Sequence, residues 1–347
     1  MSKELSGKEL SSLSRQLALV MDSELSLQEG MALVSAQTQS KAVQQLLSRV
    51  TARLNEGQSL ANAFAQEKRC LPEFYIEMVR MGEQSGNMDK VLNRLADSYD
   101  KDAEVSGKVM SAVTYPIILS ALMICVIVLL IVEVLPMFEE VLASLGGQMP
   151  GITRALLDIG RFIGDYFYIV IALIAILVIA AVMMRQSPRG KERLDGWALR
   201  APIQGRIQRD IASVRFARGL SLLIKSGIGI AESVQMVAAT MTNSYIRVRL
   251  NKAAADIQKG KPLGEAIISL GLFPELLMRV LAVGEMTGHT DNVLDKTADV
   301  MERRLDERLA RLTTVLEPAL IIVLSLIVGV VLVSVILPVA RIMNAVG

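Results

Sequence analysis

With 347 residues, 52% of them hydrophobic but only 4% aromatic, the chain carries more aliphatic weight than a soluble protein of this length. Its net charge of +2 gives no general case for a nucleic-acid partner. The lone histidine, His289, and the two cysteines, Cys70 and Cys125, offer neither metal-ligand spacing nor a disulfide framework.

The chain opens on polar residues without an apolar core of signal-peptide type, so the first apolar run is expected to direct its own insertion. From Leu5 to Met21, apolar residues at Leu10, Leu13, Leu17, Val20 and Met21 recur at three- and four-residue steps and predict a helix. Further helices are expected over Ser26 to Gln39 and over Ala42 to Leu54, the latter stopped by Asn55-Glu56-Gly57. A short one capped by Ser59 should run to Ala65, and another from Pro72 to near Gly82. After the turn Ser85-Gly86-Asn87, a long helix from Met88 leads through Val91, Leu92, Leu95 and Tyr99 into an apolar run.

That run, Ile117 to Leu135, is bracketed by Pro116 and Pro136, and at about 1.5 Å per residue it matches one hydrocarbon thickness. Glu133 is its only charge, close enough to the exit proline to reach the interface. The same pattern returns 202 residues later, with Ala319 to Leu337 between Pro318 and Pro338. A third run, Tyr166 to Met184, is uncharged and has no counterpart. An unpaired crossing is what two domains on one side of a membrane require.

The repeat extends into the polar segments. At an offset of 203, Arg15, Leu17, Leu19, Gly57, Leu60 and Ala63 meet Arg218, Leu220, Leu222, Gly260, Leu263 and Ala266. At 202, Pro72, Gly82, Glu83, Gly86, Asp89, Val91 and Leu92 meet Pro274, Gly284, Glu285, Gly288, Asp291, Val293 and Leu294. Of 37 Lys and Arg, 13 precede Pro116 and 21 lie between Arg185 and Arg311, which assigns both polar segments to the cytoplasm.

The expected fold is therefore an all-α integral membrane protein, with two repeated cytoplasmic bundles of about six helices each and three transmembrane helices. Residues 1–112 form cytoplasmic domain 1, 113–136 transmembrane helix 1, 137–165 an external loop and 166–184 transmembrane helix 2. Residues 185–314 form cytoplasmic domain 2, 315–338 transmembrane helix 3 and 339–347 an external tail.

The strongest repeated polar motif is Gly-Glu-x-x-Gly-x-x-Asp, at Gly82 to Asp89 and Gly284 to Asp291. Gly82, Gly86, Gly284 and Gly288 suit a turn, and Asp89 and Asp291 suit the positive end of the following helix. A turn alone does not call for Glu83 and Glu285, so these acids, with Asp89 and Asp291, are candidate partner contacts. Two carboxylates are too few to specify a cation. His289 stands where the first copy has Asn87, which reads as a turn tip. Pro116, Pro136, Pro318 and Pro338 are candidate hinges where long helices enter and leave the bilayer. No phosphate-binding glycine loop is present, since Gly190-Lys191 and Gly260-Lys261 lack the upstream glycine and the hydroxyl. No cluster of His, Cys or acids would activate a nucleophile or a water. A small oligomeric membrane transporter is the competing class, because internal repeats are common there.

Two helical domains, each with Gly-Glu-x-Ser/Thr-Gly and each followed by a proline-bounded span, resemble the type II secretion F and PilC-like platform proteins of bacterial type IV filament machines. The resemblance rests on Gly82-Glu83-Gln84-Ser85-Gly86, Tyr115-Pro116, Gly284-Glu285-Met286-Thr287-Gly288 and Leu316-Glu317-Pro318, with Pro136 and Pro338. The sequence departs from the family's opening glycine-proline turn: the second copy keeps Gly227 but has Gly229 where proline is expected, and the first has Glu24-Leu25-Ser26-Leu27. The resemblance implies a non-enzymatic, cofactor-free platform in the bacterial inner membrane with its N-terminus in the cytoplasm. Its implied partners are a separate cytoplasmic hexameric assembly ATPase, pilins or pseudopilins, other inner-membrane assembly proteins and further copies of itself.

Overall fold

The computed structural model describes residues 4–23, 25–144, 151, 154–155, 157–158, 162 and 166–346, and these are overwhelmingly helical, with no β-strand among them. Two compact units result: residues 1–108 with 191–306, and residues 109–190 with 307–347.

In the first unit, α1 (Gly7–Met21), α2 (Leu27–Gln37), α3 (Lys41–Asn55), α4 (Leu60–Ala65) and α5 (Glu73–Ser85) precede the long α6 (Met88–Leu129). Ser6 and Glu9 form a reciprocal capping box at the start of α1, and Ser26 and Glu29 do the same for α2, so backbone donors that a helix start leaves open are satisfied locally. The periodic leucines Leu10, Leu13 and Leu17 are all buried, together with Leu46, Leu47 and Val50 of α3. Pro72 is the N-cap of α5 rather than a first-turn residue.

After the second polar segment begins, the order is α9 (Pro188–Ala198), α10 (Gln204–Lys225), α11 (Ile230–Thr240), α12 (Ser244–Gln258), α13 (Leu263–Ile268), α14 (Glu275–Thr287) and α15 (Thr290–Val346). From α10 to α14 successive helices pack on one another, and α5 also packs against α11. One apolar core therefore draws on both polar segments, with Tyr75 and Met78 from one and Phe216, Leu250 and Leu281 from the other. Ion pairs cross the same seam, from Arg215 to Asp102 at 3.5 Å and from Lys108 to Asp306 at 2.8 Å. Burial raises the Asp102 carboxyl above the ordinary aspartate range, against the opposing pull of Arg215 and Arg218.

The second unit holds the apolar parts of α6 and α15, with α7 (Leu135–Ser144) and α8 (Phe167–Gln186). Two helical stretches, Met88–Val141 and Thr290–Val333, are long and apolar enough to cross a membrane, with mean hydropathy of 3.1 and 2.7 over their most apolar windows. Only 11% and 6% of those windows is buried, whereas the core helix of a soluble protein would be covered. Ile117, Leu122, Ile322 and Leu326 are each more than 60% exposed, an outward-facing apolar surface suited to lipid.

Pro116 lies inside α6, and Pro318 and Pro338 lie inside α15. Pro136 is the second residue of α7. Between α6 and α7, Leu130–Val134 forms a π-helical segment that contains Glu133. The two proline-bounded runs are therefore not identical rods, since the first changes helix type before its exit proline and the second does not. An extra residue per turn is a common way for a helix to absorb a local mismatch in backbone pairing. Helix α15 also continues to Val346, through the described part of the segment read as a tail. Glu24, the first residue of the first copy's opening turn, and most of residues 145–165, much of the external loop, lie outside the described residues.

Candidate functional site

The two Gly-Glu motifs are built alike and with more economy than turn chemistry alone requires. Helix α5 continues through Gly82 and Glu83 to Ser85, and α14 continues through Gly284 and Glu285 to Thr287. Gly82 and Gly284 are thus helical, which corrects their reading as turn residues. Their role is close approach. A Cβ at Gly82 would stand 3.1 Å from Val91 Cβ, and one at Gly284 only 2.9 Å from Thr290 Cα, so the next helix crosses where only glycine leaves room.

The turn itself belongs to Gly86 and Gly288, at φ of 66° and 71°. Both take the left-handed conformation that ends a helix. The Asn87 backbone N–H then donates to Gly82 O at 3.1 Å, and its side-chain amide donates to Ser85 O at 2.9 Å. His289 occupies the matching exposed position after Gly288.

Glu83 and Glu285 reach away from the turn. Glu83 accepts from the backbone N–H of Leu60 at 2.9 Å and of Ala61 at 3.3 Å, the first two residues of α4. Glu285 accepts from the N–H of Leu263 at 2.9 Å and of Gly264 at 3.1 Å, the first two residues of α13. A carboxylate at a helix start satisfies open donors and meets the positive end of the helix dipole. This is a structural reason for an acid after the first glycine. The two sites differ in one respect: Ser59 also caps α4, by accepting from Asn62 N, whereas α13 begins after Pro262 with no side-chain cap of its own.

Asp89 and Asp291 sit in the first turns of α6 and α15. The Asp291 carbonyl accepts from Ser221 Oγ at 2.7 Å, which ties that turn to α10. A second repeated arrangement lies beyond the motifs. Arg15 pairs with Asp97 at 3.1 Å and Asp100 at 2.6 Å, and Arg218 pairs with Asp299 at 3.3 Å and Glu302 at 2.6 Å. The acids repeat at an offset of 202, so their pairing with the two arginines could have been found from sequence alone. Among the described residues, no group of three or more His, Cys, Asp or Glu is placed to hold a metal ion.

A sequence model of the family described as Type II secretion system (T2SS), protein F matches residues 13–136 and, separately, residues 216–338. The chain belongs to that family. It is 33% identical over 338 residues to the type IV pilus assembly protein PilC of Thermus thermophilus, an alignment spanning 97% of this chain and 83% of that one. It is 28% identical over 345 residues to the type II secretion system protein F of Aeromonas hydrophila, spanning 99% and 88%. To PilC of Pseudomonas aeruginosa it is 27% identical over 346 residues, spanning 99% and 92%.

Both segments of the T2SS protein F match contain a glutamate-capped helix, a left-handed glycine and a close-packed glycine, and they end at Pro136 and Pro338. Membership in this family and the two apolar helices together mark a membrane protein.

Proposed function

We propose that this chain is a non-enzymatic platform of a type IV pilus or type II secretion assembly machine, which couples a cytoplasmic assembly ATPase to the insertion of pilin-like subunits into a filament. The observation that carries this reading is the double match to T2SS protein F, joined to relatives named for pilus assembly and secretion along nearly the whole chain.

On this reading each matched segment is a duplicated cytoplasmic bundle followed by its own membrane span, and α8 is a third crossing that returns the chain to the cytoplasm of a bacterial inner membrane. The Lys and Arg distribution supports that orientation. The surface around the two turns, with Glu83, Asp89, Glu285 and Asp291, is where the ATPase or another assembly protein bears. Met286, 88% exposed beside Glu285, is an adaptable apolar contact there. The prolines are the places where motion of the bundles passes into the spans.

The test has two parts. Deleting the gene should abolish filaments or secretion, and the full chain should restore them. A photo-crosslinking residue at Gln84 or Met286 should then capture the ATPase or another assembly protein. Normal filaments and secretion in the deletion strain would reject the platform role, and crosslinks confined to lipid would reject the contact surface.

A further inference from the structure

Helix α9 buries none of its residues, although it is firmly held along one side. Asp195 accepts from the Ser244 backbone N–H at 2.7 Å through its carboxylate and from Asn243 Nδ2 at 3.3 Å through its carbonyl. Gly196 lies so near Tyr245 that a Cβ would come within 3.1 Å of the ring. Leu199, just past the helix, is buried.

The other side faces outward and has a different chemistry. Arg193 and Trp197 lie four residues apart on α9, as one helical face requires, Arg200 follows in the turn just past it, and all three are exposed, Trp197 at 75%. Ile203 and Arg206 extend the exposed set. In sequence the same step runs back through Arg189 and Arg185 to the end of α8. Between Arg185 and Arg209 there are seven cations and two acids, and one of those acids, Asp195, is committed to Ser244. An outward tryptophan among arginines, with no carboxylate on the same face, is the pattern of a helix at a negatively charged bilayer surface. Chain connection favours lipid over a soluble partner. Only Ser187 separates α8 from α9, so every residue of α9 stays within roughly 20 Å of the end of α8.

We propose that the Arg193, Trp197 and Arg200 face is a docking surface for the anionic headgroups of the membrane, an inference that rests on α8 being a crossing. Docked there, α9 would hold α12 to the bilayer surface through Asp195 and Gly196.

Trp197 is the only tryptophan, so intrinsic emission reports this face alone. The full chain is reconstituted in nanodiscs of phosphatidylcholine, with or without phosphatidylglycerol. With the anionic lipid, emission should shift to the blue, quenching by acrylamide should fall at least about threefold and quenching by brominated lipid should rise. High salt should reverse all three. Arg193→Gln and Arg200→Gln should each lower the ratio of docked to free helix about fivefold. Identical emission and quenching in both kinds of disc would overturn the proposal and leave the face to an acidic protein. The crossing is tested separately, by an impermeant maleimide on Ala201→Cys in a Cys125→Ser background in intact spheroplasts. Labelling from outside would refute the proposed topology without changing the nanodisc result.

Discussion

The Tyr115 hydroxyl donates a hydrogen bond to Glu317 Oε1 at 3.3 Å. The two residues are 202 apart, the offset at which the sequence repeats, so equivalent positions of α6 and α15 meet each other directly. Each immediately precedes a proline, Pro116 or Pro318. Proline removes a backbone donor and weakens the helix beside it, and a side-chain bond between the two weakened sites limits how far they separate.

Tyr115→Phe deletes the donor and keeps the ring. Because Tyr115 is 48% exposed, the loss should be about 1 kcal/mol or less. A double-mutant cycle with Glu317→Ala, which removes the acceptor, followed by thermal unfolding in detergent, should give a coupling energy of about 0.5 kcal/mol or more. Strict additivity would mean that the bond contributes nothing to the fold.

The two capping glutamates should respond unequally. Glu285→Ala leaves the start of α13 without any side-chain acceptor and should cost about 1–2 kcal/mol. Glu83→Ala should cost less, since Ser59 continues to cap α4. Amide exchange at Leu263 and Gly264 should accelerate in the first variant. Unchanged exchange there would show that Glu285 does not hold that helix.

The close-packed glycines provide a third comparison. Gly284→Ala places a methyl group 2.9 Å from a backbone atom, whereas at Gly82 the nearest backbone atom, Met88 Cα, is 3.3 Å away and Val91 Cβ and Met88 Sδ are at 3.1 Å. The first should destabilise by about 1–3 kcal/mol and the second by less. Equal melting temperatures for both variants and the parent would contradict the close approach of successive helices.

Most helix boundaries were legible because the leucine periodicity that predicts α1 is the same pattern that becomes buried as Leu10, Leu13 and Leu17. Ser6 with Glu9 and Ser26 with Glu29 carried a further boundary signal, an acid three residues after a serine, that periodicity does not use. The motif was legible as a repeat, but its chemistry was not. Glu83 is paired with backbone 22 and 23 residues earlier in the chain, and backbone donors leave no trace in the identity of the residues that carry them. For the same reason Gly82 resembled a turn residue, since the helix that crosses it is visible only in three dimensions. The π-helical segment at Leu130–Val134 follows from backbone pairing and has no side-chain signature in this run.

Glu67 gives the clearest pH dependence. Its side chain is 8% exposed and accepts from Arg49 Nε at 3.0 Å, Arg49 Nη2 at 2.7 Å and Arg53 Nη1 at 2.8 Å. The bonds from Arg49, and secondarily those from Arg53, hold its carboxyl below the usual glutamate range and outweigh the opposing effect of burial. A carboxyl whose pKa is depressed on folding adds stability above its unfolded value, about 4.3, and that stability is lost as the pH falls through the lower folded value. Stability arising from this group should therefore be flat between about pH 6 and 8 and should decline below about pH 4. Glu67→Gln should cost roughly 1.5–3 kcal/mol at neutral pH, because two guanidinium groups lose their charged acceptor, and the acid decline should become shallower. Chemical denaturation of both proteins across that pH range provides the measurement. Parallel stability profiles, with the variant as acid-sensitive as the parent, would show that another carboxylate governs the transition.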